Sequence, residues 1–157
     1  MTPAIELLRS LGIDHQISEY EHDPNHPSYG DEAAEALGVE PNTVFKTLMV
    51  SLDDGRHAVA VVPVSCTLDL KAIAAAANAK KARLTEAATA ERLSGYVVGG
   101  ISAFGQKRPG AVFVDEWATA LDLMHCSGGR RGLEIGVSPQ AFVEALGATF
   151  AAIASWP

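Results

Sequence analysis

Apolar residues follow two patterns along the chain, one with the period of a helix and one typical of buried strands. The clearest strand pattern is VFKTLMVSL, residues 44–52, and HAVAVVPV, residues 57–64, repeats it. The DDGR segment between them, residues 53–56, is a strong turn signal, so the two strands are predicted to pair as a hairpin. Both faces of each strand are largely apolar, which predicts that the hairpin lies inside the protein.

Helix signals occur at five places. Thr2 and Pro3 predict the cap and first residue of a helix, and Ser138 and Pro139 give the same signal for the last helix, which ends near Gly147. Further helices are predicted over residues 31–37, 68–77 and 85–93. Further strands are predicted over residues 15–20, 81–84, 96–98, 111–115, 121–125 and 133–137.

The order of these elements mixes hairpins with occasional helices, which is typical of the α+β class. We therefore predict a mixed, mostly antiparallel sheet with surrounding helices. The chain has 157 residues, and no repeat, low-complexity tract or linker composition divides it. Residues 1–157 are predicted to form a single domain with a substantial core.

Composition favours an ordinary globular protein of the cytoplasm. Hydrophobic residues make up 48% of the chain and charged residues 20%. No apolar run is long enough to span a membrane, and the N-terminus lacks the basic and apolar regions of a signal peptide, so no membrane association is expected. The two cysteines, Cys66 and Cys126, are expected to be free thiols.

The formal net charge of −7 argues against a nucleic-acid ligand, but the charge is unevenly distributed. Residues 1–45 carry a net charge of −8, whereas residues 46–131 carry +3. A local basic surface can contact phosphates on an acidic protein, because screening limits the reach of each charge to about 8–10 Å. The alternative is that the basic pairs in residues 46–131 are solvated charges on loops.

Lys46 is out of place in the first strand of the hairpin. It shares a strand face with Val44, Leu48 and Val50. An isolated buried charge is very costly, so the ammonium group must reach water, pair with an anion or await an anionic ligand. A lysine that extends from the strand end to solvent is the structural alternative.

Two glycine-rich stretches, VVGGISAFGQ (97–106) and CSGGRRG (126–132), each follow a predicted strand. Each contains a pair of glycines where the backbone can approach a ligand and offer N–H groups to an anion. Neither matches a dinucleotide-binding or P-loop pattern. Tight turns are the alternative for either stretch alone, but Ser102, Ser127 and Lys46 together favour a cleft.

Familiar hydrolytic motifs are absent from the sequence, which contains neither G-x-S-x-G nor H-E-x-x-H. Pro24 separates His22 from His26, which disfavours a metal site. His125 and Cys126 are adjacent in a predicted strand and point to opposite faces, so they are not expected to act as a catalytic pair. Cys66 is expected to be a small buried residue near a helix start rather than a nucleophile.

Five segments resemble the YbaK/EbsC family of aminoacyl-tRNA editing hydrolases, which is related to the editing domain of prolyl-tRNA synthetases. They are TPAIELLRSLGI, YEHDP, VFKTLMV, VGGISAFGQK and SGGRRGLEI, and they span nearly the whole chain. The resemblance is strongest to the branch that deacylates Cys-tRNA(Pro). It implies a mixed fold around a β-barrel-like sheet, and it implies no cofactor and no metal.

The family's site residues map onto this sequence one by one. The essential lysine of the family corresponds to Lys46. The substrate-pocket positions correspond to Tyr20, Tyr29, Thr47, Gly100, Ser102, Ser127, Gly128 and Gly129. Two residues depart from the family pattern: Ala103 replaces a usual proline, which affects loop rigidity, and Glu134 replaces a frequent aspartate, which affects pocket shape and amino-acid preference.

The resemblance implies a free-standing enzyme that removes cysteine from mischarged tRNA(Pro), whose acceptor end it would bind. In that mechanism the substrate's own thiol attacks the ester, so the protein needs no nucleophile of its own. Prolyl-tRNA synthetase is the expected partner that would supply tRNA specificity. Two alternatives stay open: a water-dependent deacylase of Ala-tRNA(Pro) or of a broader set of aminoacyl-tRNAs, and a non-catalytic module that binds an aminoacyl end or a nucleotide.

Overall fold

A computed structural model describes residues 1–157 and contains five α-helices and ten strands. The helices are α1 (Pro3–Ser10), α2 (Tyr29–Leu37), α3 (Leu70–Ala76), α4 (Ala87–Ser94) and α5 (Pro139–Leu146), with 3-10 helices at Pro41–Thr43 and Glu116–Ala120. The strands are β1 (Gln16–Glu19), β2 (Phe45–Leu52), β3 (His57–Pro63), β4 (Thr67–Leu68), β5 (Ala82–Leu84), β6 (Ala111–Asp115), β7 (Met124–Ser127), β8 (Leu133–Val137), β9 (Thr149–Ala151) and β10 (Ala154–Ser155).

The strands form three sheets. The largest has the order β5-β2-β3-β6-β9, in which β2 pairs antiparallel with β3 and β5, while β6 pairs parallel with β3 and β9. The order β1-β8-β7 forms an antiparallel sheet, and β10 pairs with β4. The predicted α+β class and mostly antiparallel pairing are confirmed. The expected barrel-like sheet is open, because the edge strands β5 and β9 do not pair with each other.

Two predicted strands differ from the structure. Residues 96–98 form a turn, because Gly95 ends α4 in the left-handed region (φ 83°) and the buried Tyr96 donates a hydrogen bond across the turn to the Phe104 carbonyl (2.6 Å). The strand predicted over 121–125 instead runs over Met124–Ser127, since a 3-10 helix ends only at Ala120. The strands β4, β9 and β10 were not predicted, because two or three residues are too few to show a period.

The hairpin of β2 and β3 is buried on both faces, as predicted. On one face Phe45 and Met49 belong to the main core, which includes Leu8 of α1 and Phe142 of α5. On the other face the strands pack on a smaller core around Ile73 of α3. The hairpin therefore positions every layer of the fold. None of the five helices is both long and apolar enough to cross a membrane.

The residue before β2 also connects the large sheet to the three-stranded sheet. A single parallel bridge joins Val44 to His125. β2 pairs with β3 along one edge, and β5 joins the other edge only from Val50 onward. A gap therefore borders the uncovered part of this second edge.

Asp115 ties the end of β6 to the C-terminal strands. Its side chain is buried, with 3% exposure, and forms no ion pair. One carboxylate oxygen, Oδ1, accepts hydrogen bonds from the backbone N–H groups of Ile153 (3.0 Å) and Ala154 (2.8 Å), and Oδ2 accepts one from that of Trp117 (2.9 Å). These bonds satisfy the buried carboxylate and anchor both elements.

We expect Asp115→Ala to lower the free energy of unfolding by about 2–4 kcal/mol, because it leaves buried N–H donors without acceptors. Urea denaturation followed by circular dichroism measures this. The matched control is Asp122→Ala, which removes an exposed carboxylate and should change stability by less than about 0.5 kcal/mol. Equal effects of the two substitutions would contradict the anchoring role.

Candidate active site

A cavity of about 460 Å³ occupies the gap between β2 and the three-stranded sheet. Residues 44–49 form one wall, and Ser127 and Glu134 form part of another. The start of α2 and the first glycine-rich stretch close two further sides. Its size is within the usual range for small-molecule sites, and its lining combines a few polar groups with an apolar majority. A small substrate group can therefore be enclosed there.

Lys46 lies on the cavity wall with its side chain half-buried. It forms no ion pair, so its ammonium group has no carboxylate within 4.0 Å. Burial lowers the pKa of Lys46, while the Cys66 thiol and the Asp31 carboxylate oppose this shift. The lysine is thus a partly desolvated cation available to an anionic ligand, as the sequence pattern suggested.

The backbone beside Lys46 is also open to the cavity. The strand β5 pairs with β2 only at residues 50–52, and the Thr85 N–H donates to the Met49 carbonyl (2.9 Å). The edge over residues 46–48 has no strand partner on that side. Its outward N–H and C=O groups are therefore free to bind a ligand next to the lysine.

Two buried oxygen atoms of cavity-lining residues lack hydrogen-bond partners in the protein. They are Oγ1 of Thr47 and Oε2 of Glu134. Burial raises the pKa of Glu134 to about 8, so this carboxyl group is mainly protonated at neutral pH. Ser127 lies directly across from Glu134 in the β7–β8 ladder. Ser127 and Glu134 form a polar wall, and a bound ligand could satisfy the unpaired oxygen atoms of Glu134 and Thr47.

Tyr29 forms the rim of the cavity at the start of α2, with 41% of its surface exposed. Its ring packs tightly on Gly99, where an added Cβ would meet ring atoms at 2.7 Å and where φ is 89°. Only glycine fits this position. The first glycine-rich stretch therefore holds the tyrosine ring at the mouth of the cavity.

Of the nine predicted site residues, Lys46, Thr47, Tyr29 and Ser127 line the cavity. The other five lie outside its lining: Tyr20, Gly100, Ser102, Gly128 and Gly129. Tyr20 is near the polar wall, since burial, followed by the charges of Glu134 and Glu32, raises its pKa to about 12. Ser102 is fully buried and its Oγ accepts a hydrogen bond from the Phe104 N–H (3.2 Å).

The three remaining predicted glycines lie in the two glycine-rich stretches, which contact each other. A Cβ on Gly100 would meet the backbone of Arg130 at 2.7 Å, so the stretches are in direct backbone contact. The N–H groups of Gly100, Gly128 and Gly129 donate within the protein, to the Val97 carbonyl, the Leu133 carbonyl and the Ser127 Oγ, respectively. The Gly128 carbonyl accepts a hydrogen bond from the Thr2 hydroxyl, which also caps α1.

Ala103, the first departure from the family pattern, is buried in the main core with 6% exposure. The loop around it is held by side-chain hydrogen bonds, including one from Gln106 Nε2 to the Ser102 carbonyl (2.9 Å). Glu134, the second departure, lines the cavity, although the family resemblance identified it only as a variation and not as a site residue. The signal for it was a carboxylate in the otherwise apolar strand β8.

None of the residues that line the cavity is a histidine or a cysteine. His22 and His26 pair separately with Glu32 (2.7 Å) and Glu35 (3.0 Å). Cys126 is fully buried and burial raises its pKa, while burial lowers the pKa of its neighbour His125. Both residues lie within β7, so they point to opposite faces as expected.

Cys66 lies near Lys46 but is only 2% exposed, and burial raises its pKa. It was expected to open a helix, but it precedes β4, and α3 begins only at Leu70. Its thiol therefore lacks the helix terminus that could activate it.

Comparison with known proteins identifies the class to which this fold and cavity belong. A family model of the aminoacyl-tRNA editing domain matches residues 23–145. The chain therefore belongs to the aminoacyl-tRNA editing domain family. This confirms the predicted resemblance and the predicted enzyme class, an aminoacyl-tRNA deacylase.

Relatives of known sequence or structure support the same family. A protein of Enterococcus faecalis described as a Cys-tRNA(Pro)/Cys-tRNA(Cys) deacylase, EbsC, is 30% identical over 97% of this chain and 92% of its own length. The crystal structure of the hypothetical protein APE2540 matches with a TM-score of 0.87 and 27% identity, covering 98% of this chain and 99% of the other. A protein described as a trans-editing enzyme for prolyl tRNA synthetase shares the fold, with a TM-score of 0.86 at 20% identity over 98% and 95% of the two chains.

We expect Glu134→Gln to stabilise the protein increasingly as pH rises. The pKa of Glu134 is about 8 in the folded protein against 4.5 for an ordinary glutamate, so the folded state retains a proton that the unfolded state has lost. Wild-type stability is therefore full below about pH 4.5 and falls as pH rises through about 8.

Glutamine does not titrate, so the free energy of unfolding of Glu134→Gln relative to wild type should grow by roughly 2–4 kcal/mol between pH 4.5 and 8.5. Urea denaturation at a series of pH values measures the difference. The control Glu144→Gln changes an exposed carboxyl group and should show no such growth. A pH-independent difference for Glu134→Gln would mean that its carboxyl group is not the buried acid described above.

Proposed function

We propose that this protein is a trans-editing deacylase that removes cysteine from mischarged Cys-tRNA(Pro). The observation that carries the proposal is Lys46, an unpaired and partly buried cation on the wall of the cavity. The family acts on aminoacyl-tRNA, and the carbonyl oxygen of the ester becomes negative during cleavage. A preorganised cation beside that oxygen is a strong source of transition-state stabilisation.

The choice of cysteine is supported by the relative and by the cavity. The Enterococcus faecalis protein described as a deacylase of Cys-tRNA(Pro) and Cys-tRNA(Cys) shares 30% identity with nearly the whole chain. The cavity is small, and Leu48, Met49 and Ile101 contribute to an apolar lining suited to a thiol-bearing side chain.

Cleavage would use the substrate's own thiol. The cysteine sulfur loses its proton and attacks the ester carbonyl carbon, and the bond to the terminal ribose oxygen breaks as that oxygen takes up a proton. The products are a cyclic thiolactone and the free tRNA, and water then opens the thiolactone. Lys46 and the open edge of β2 would bind the developing oxyanion and hold the chain in place.

This route fits the groups that line the cavity. Aliphatic hydroxyl groups are present on Ser28, Thr47, Thr85 and Ser127, but none of the residues that line the cavity is a histidine. An unassisted hydroxyl group is a weak nucleophile at neutral pH, whereas a cysteine thiol is a few per cent thiolate and intrinsically reactive.

A second candidate is hydrolysis by bound water, which suits Ala-tRNA(Pro) or a broader set of substrates. Glu134 favours it, because a cavity carboxyl group with a pKa of about 8 could serve as a general base. Under this mechanism the rate with an alanyl substrate would rise with pH up to about 8, as the carboxyl group loses its proton.

Selection of tRNA(Pro) would come from a partner. The chain carries a net charge of −7 and offers little basic surface with which to bind a whole tRNA. We therefore propose that prolyl-tRNA synthetase presents the mischarged acceptor end, while the cavity of this domain selects the amino acid.

We expect Lys46→Ala to abolish deacylation, a loss of more than about 100-fold in kcat/KM, because it removes the oxyanion contact. Lys46→Arg should also fail, since a planar guanidinium does not fit a site built around a compact ammonium. Release of free cysteine from purified Cys-tRNA(Pro) measures both. Lys80→Ala, which removes an exposed lysine, is the matched control and should retain full activity. Normal turnover of a folded Lys46→Ala variant would refute the assigned role.

We expect Cys-tRNA(Pro) to be deacylated far faster than Ser-tRNA(Pro), although the two amino acids differ by one atom. Pocket contacts alone would separate them by only about 10–200-fold, so a larger ratio indicates chemical participation of the thiol. Mass spectrometry should detect the thiolactone during the cysteine reaction. Comparable rates for the two substrates, or a faster rate for Ala-tRNA(Pro), would instead select the water mechanism.

A further inference from the structure

Arg131, the second of the two arginines in the CSGGRRG stretch, lies at the mouth of the cavity. The guanidinium carbon of Arg131 lies 5.1 Å from the ring centroid of Tyr29, over the ring face. Its Nε donates a hydrogen bond to the Val98 carbonyl (2.9 Å). Tyr29 and Val98 both line the cavity, so two contacts fix the arginine at the rim.

The outer part of this guanidinium has no partner. Arg131 is exposed and forms no ion pair, and its terminal nitrogens make no hydrogen bond within the protein. The neighbouring Arg130 differs, because it pairs with Glu19 at 3.3 Å. One arginine of the pair is thus neutralised, while the other presents a free, oriented cation beside the cavity mouth.

The surroundings make this free cation unusual. The first turn of α2, which also carries Tyr29, contains Asp31 and Glu32, and residues 1–45 have a net charge of −8. An RNA strand that approached this rim would be repelled by the exposed carboxylate of Asp31, whereas Glu32 is buried and pairs with His22. An aromatic ring and a carbonyl already hold this guanidinium in place, so it loses little further freedom when it binds a ligand. It also offers two parallel N–H donors, the geometry that matches a phosphate group.

We propose that Arg131 binds a backbone phosphate of the RNA 3′ end whose aminoacyl ester occupies the cavity. The proposal rests on the proposed function, because it takes the cavity as the ester site. When the acyl group of a substrate lies beside Lys46, the attached RNA chain would extend out of the cavity past the rim that Tyr29, Val98 and Arg131 form. The arginine would then position the ester without touching the reacting atoms.

A phosphate-free substrate separates this role from a structural one. Arg131→Ala should lower kcat/KM for Cys-tRNA by about 10- to 100-fold, the loss expected for a charge-assisted contact. It should leave kcat/KM for the cysteinyl ester of adenosine, which has no phosphate, within about twofold of wild type. Arg130→Ala removes the same charge one residue away and should stay within about threefold on both substrates.

Equal losses on the tRNA and on the adenosine ester would overturn the proposal, because they would mean that Arg131 acts only by supporting Tyr29. Full activity of Arg131→Ala on Cys-tRNA would overturn it as well. Lys46→Ala provides the contrast, since it should fail on both substrates.

Binding measurements test the proposal independently of catalysis. Fluorescence anisotropy with an uncharged RNA hairpin ending in CCA should show weaker binding for Arg131→Ala than for Arg130→Ala. The slope of log affinity against log salt concentration should fall by about 0.7, as expected for one lost contact to a single strand. An unchanged slope would refute the phosphate contact. A wild-type protein that binds the hairpin through Arg131 but cleaves neither ester would refute the proposed function and leave the phosphate site standing.

Discussion

The structure depends on the strand β2, which lies at the centre of the large sheet and also packs against the three-stranded sheet. It is buried on both faces, pairs along its length with β3, and contacts β7, while the residue before it, Val44, forms a bridge to His125. Because β5 covers its other edge only from Val50 onward, the first half of that edge stays open. The cavity is the consequence, since its wall is the part of a central strand that no other strand covers.

Two ionisable groups in this cavity are held where they cost stability. Burial lowers the pKa of Lys46 and raises that of Glu134 to about 8, so in each case the charged form is disfavoured. Neither side chain forms an ion pair within the protein. Such uncompensated groups cluster at functional sites, because a ligand or a reaction intermediate supplies the missing partner.

The two glycine-rich stretches act mainly as a scaffold for the rim. Gly100 lets them meet backbone to backbone, Gly99 seats the Tyr29 ring, and Arg131 returns to hold both Tyr29 and the Val98 carbonyl. Thr2 joins α1 to the same assembly through the Gly128 carbonyl. The mouth of the cavity is thereby coupled to the N-terminal helix and the main core rather than to a single loop.

The amino-acid sequence by itself determined the elements whose signals are local: the capped helices α1 and α5, the hairpin of β2 and β3, and the misplaced charge of Lys46. The motif resemblance also indicated the family and predicted Tyr29, Thr47 and Ser127 as residues of the substrate pocket. Only the tertiary structure decided that β6 pairs parallel with β3 and β9, that Glu134 and Lys46 line the same cavity, and that Arg131 forms no ion pair whereas Arg130 does. The reason is physical. Caps, turns and strand faces depend on neighbours along the chain, whereas burial, unpaired edges and ion pairs depend on segments that meet only after folding.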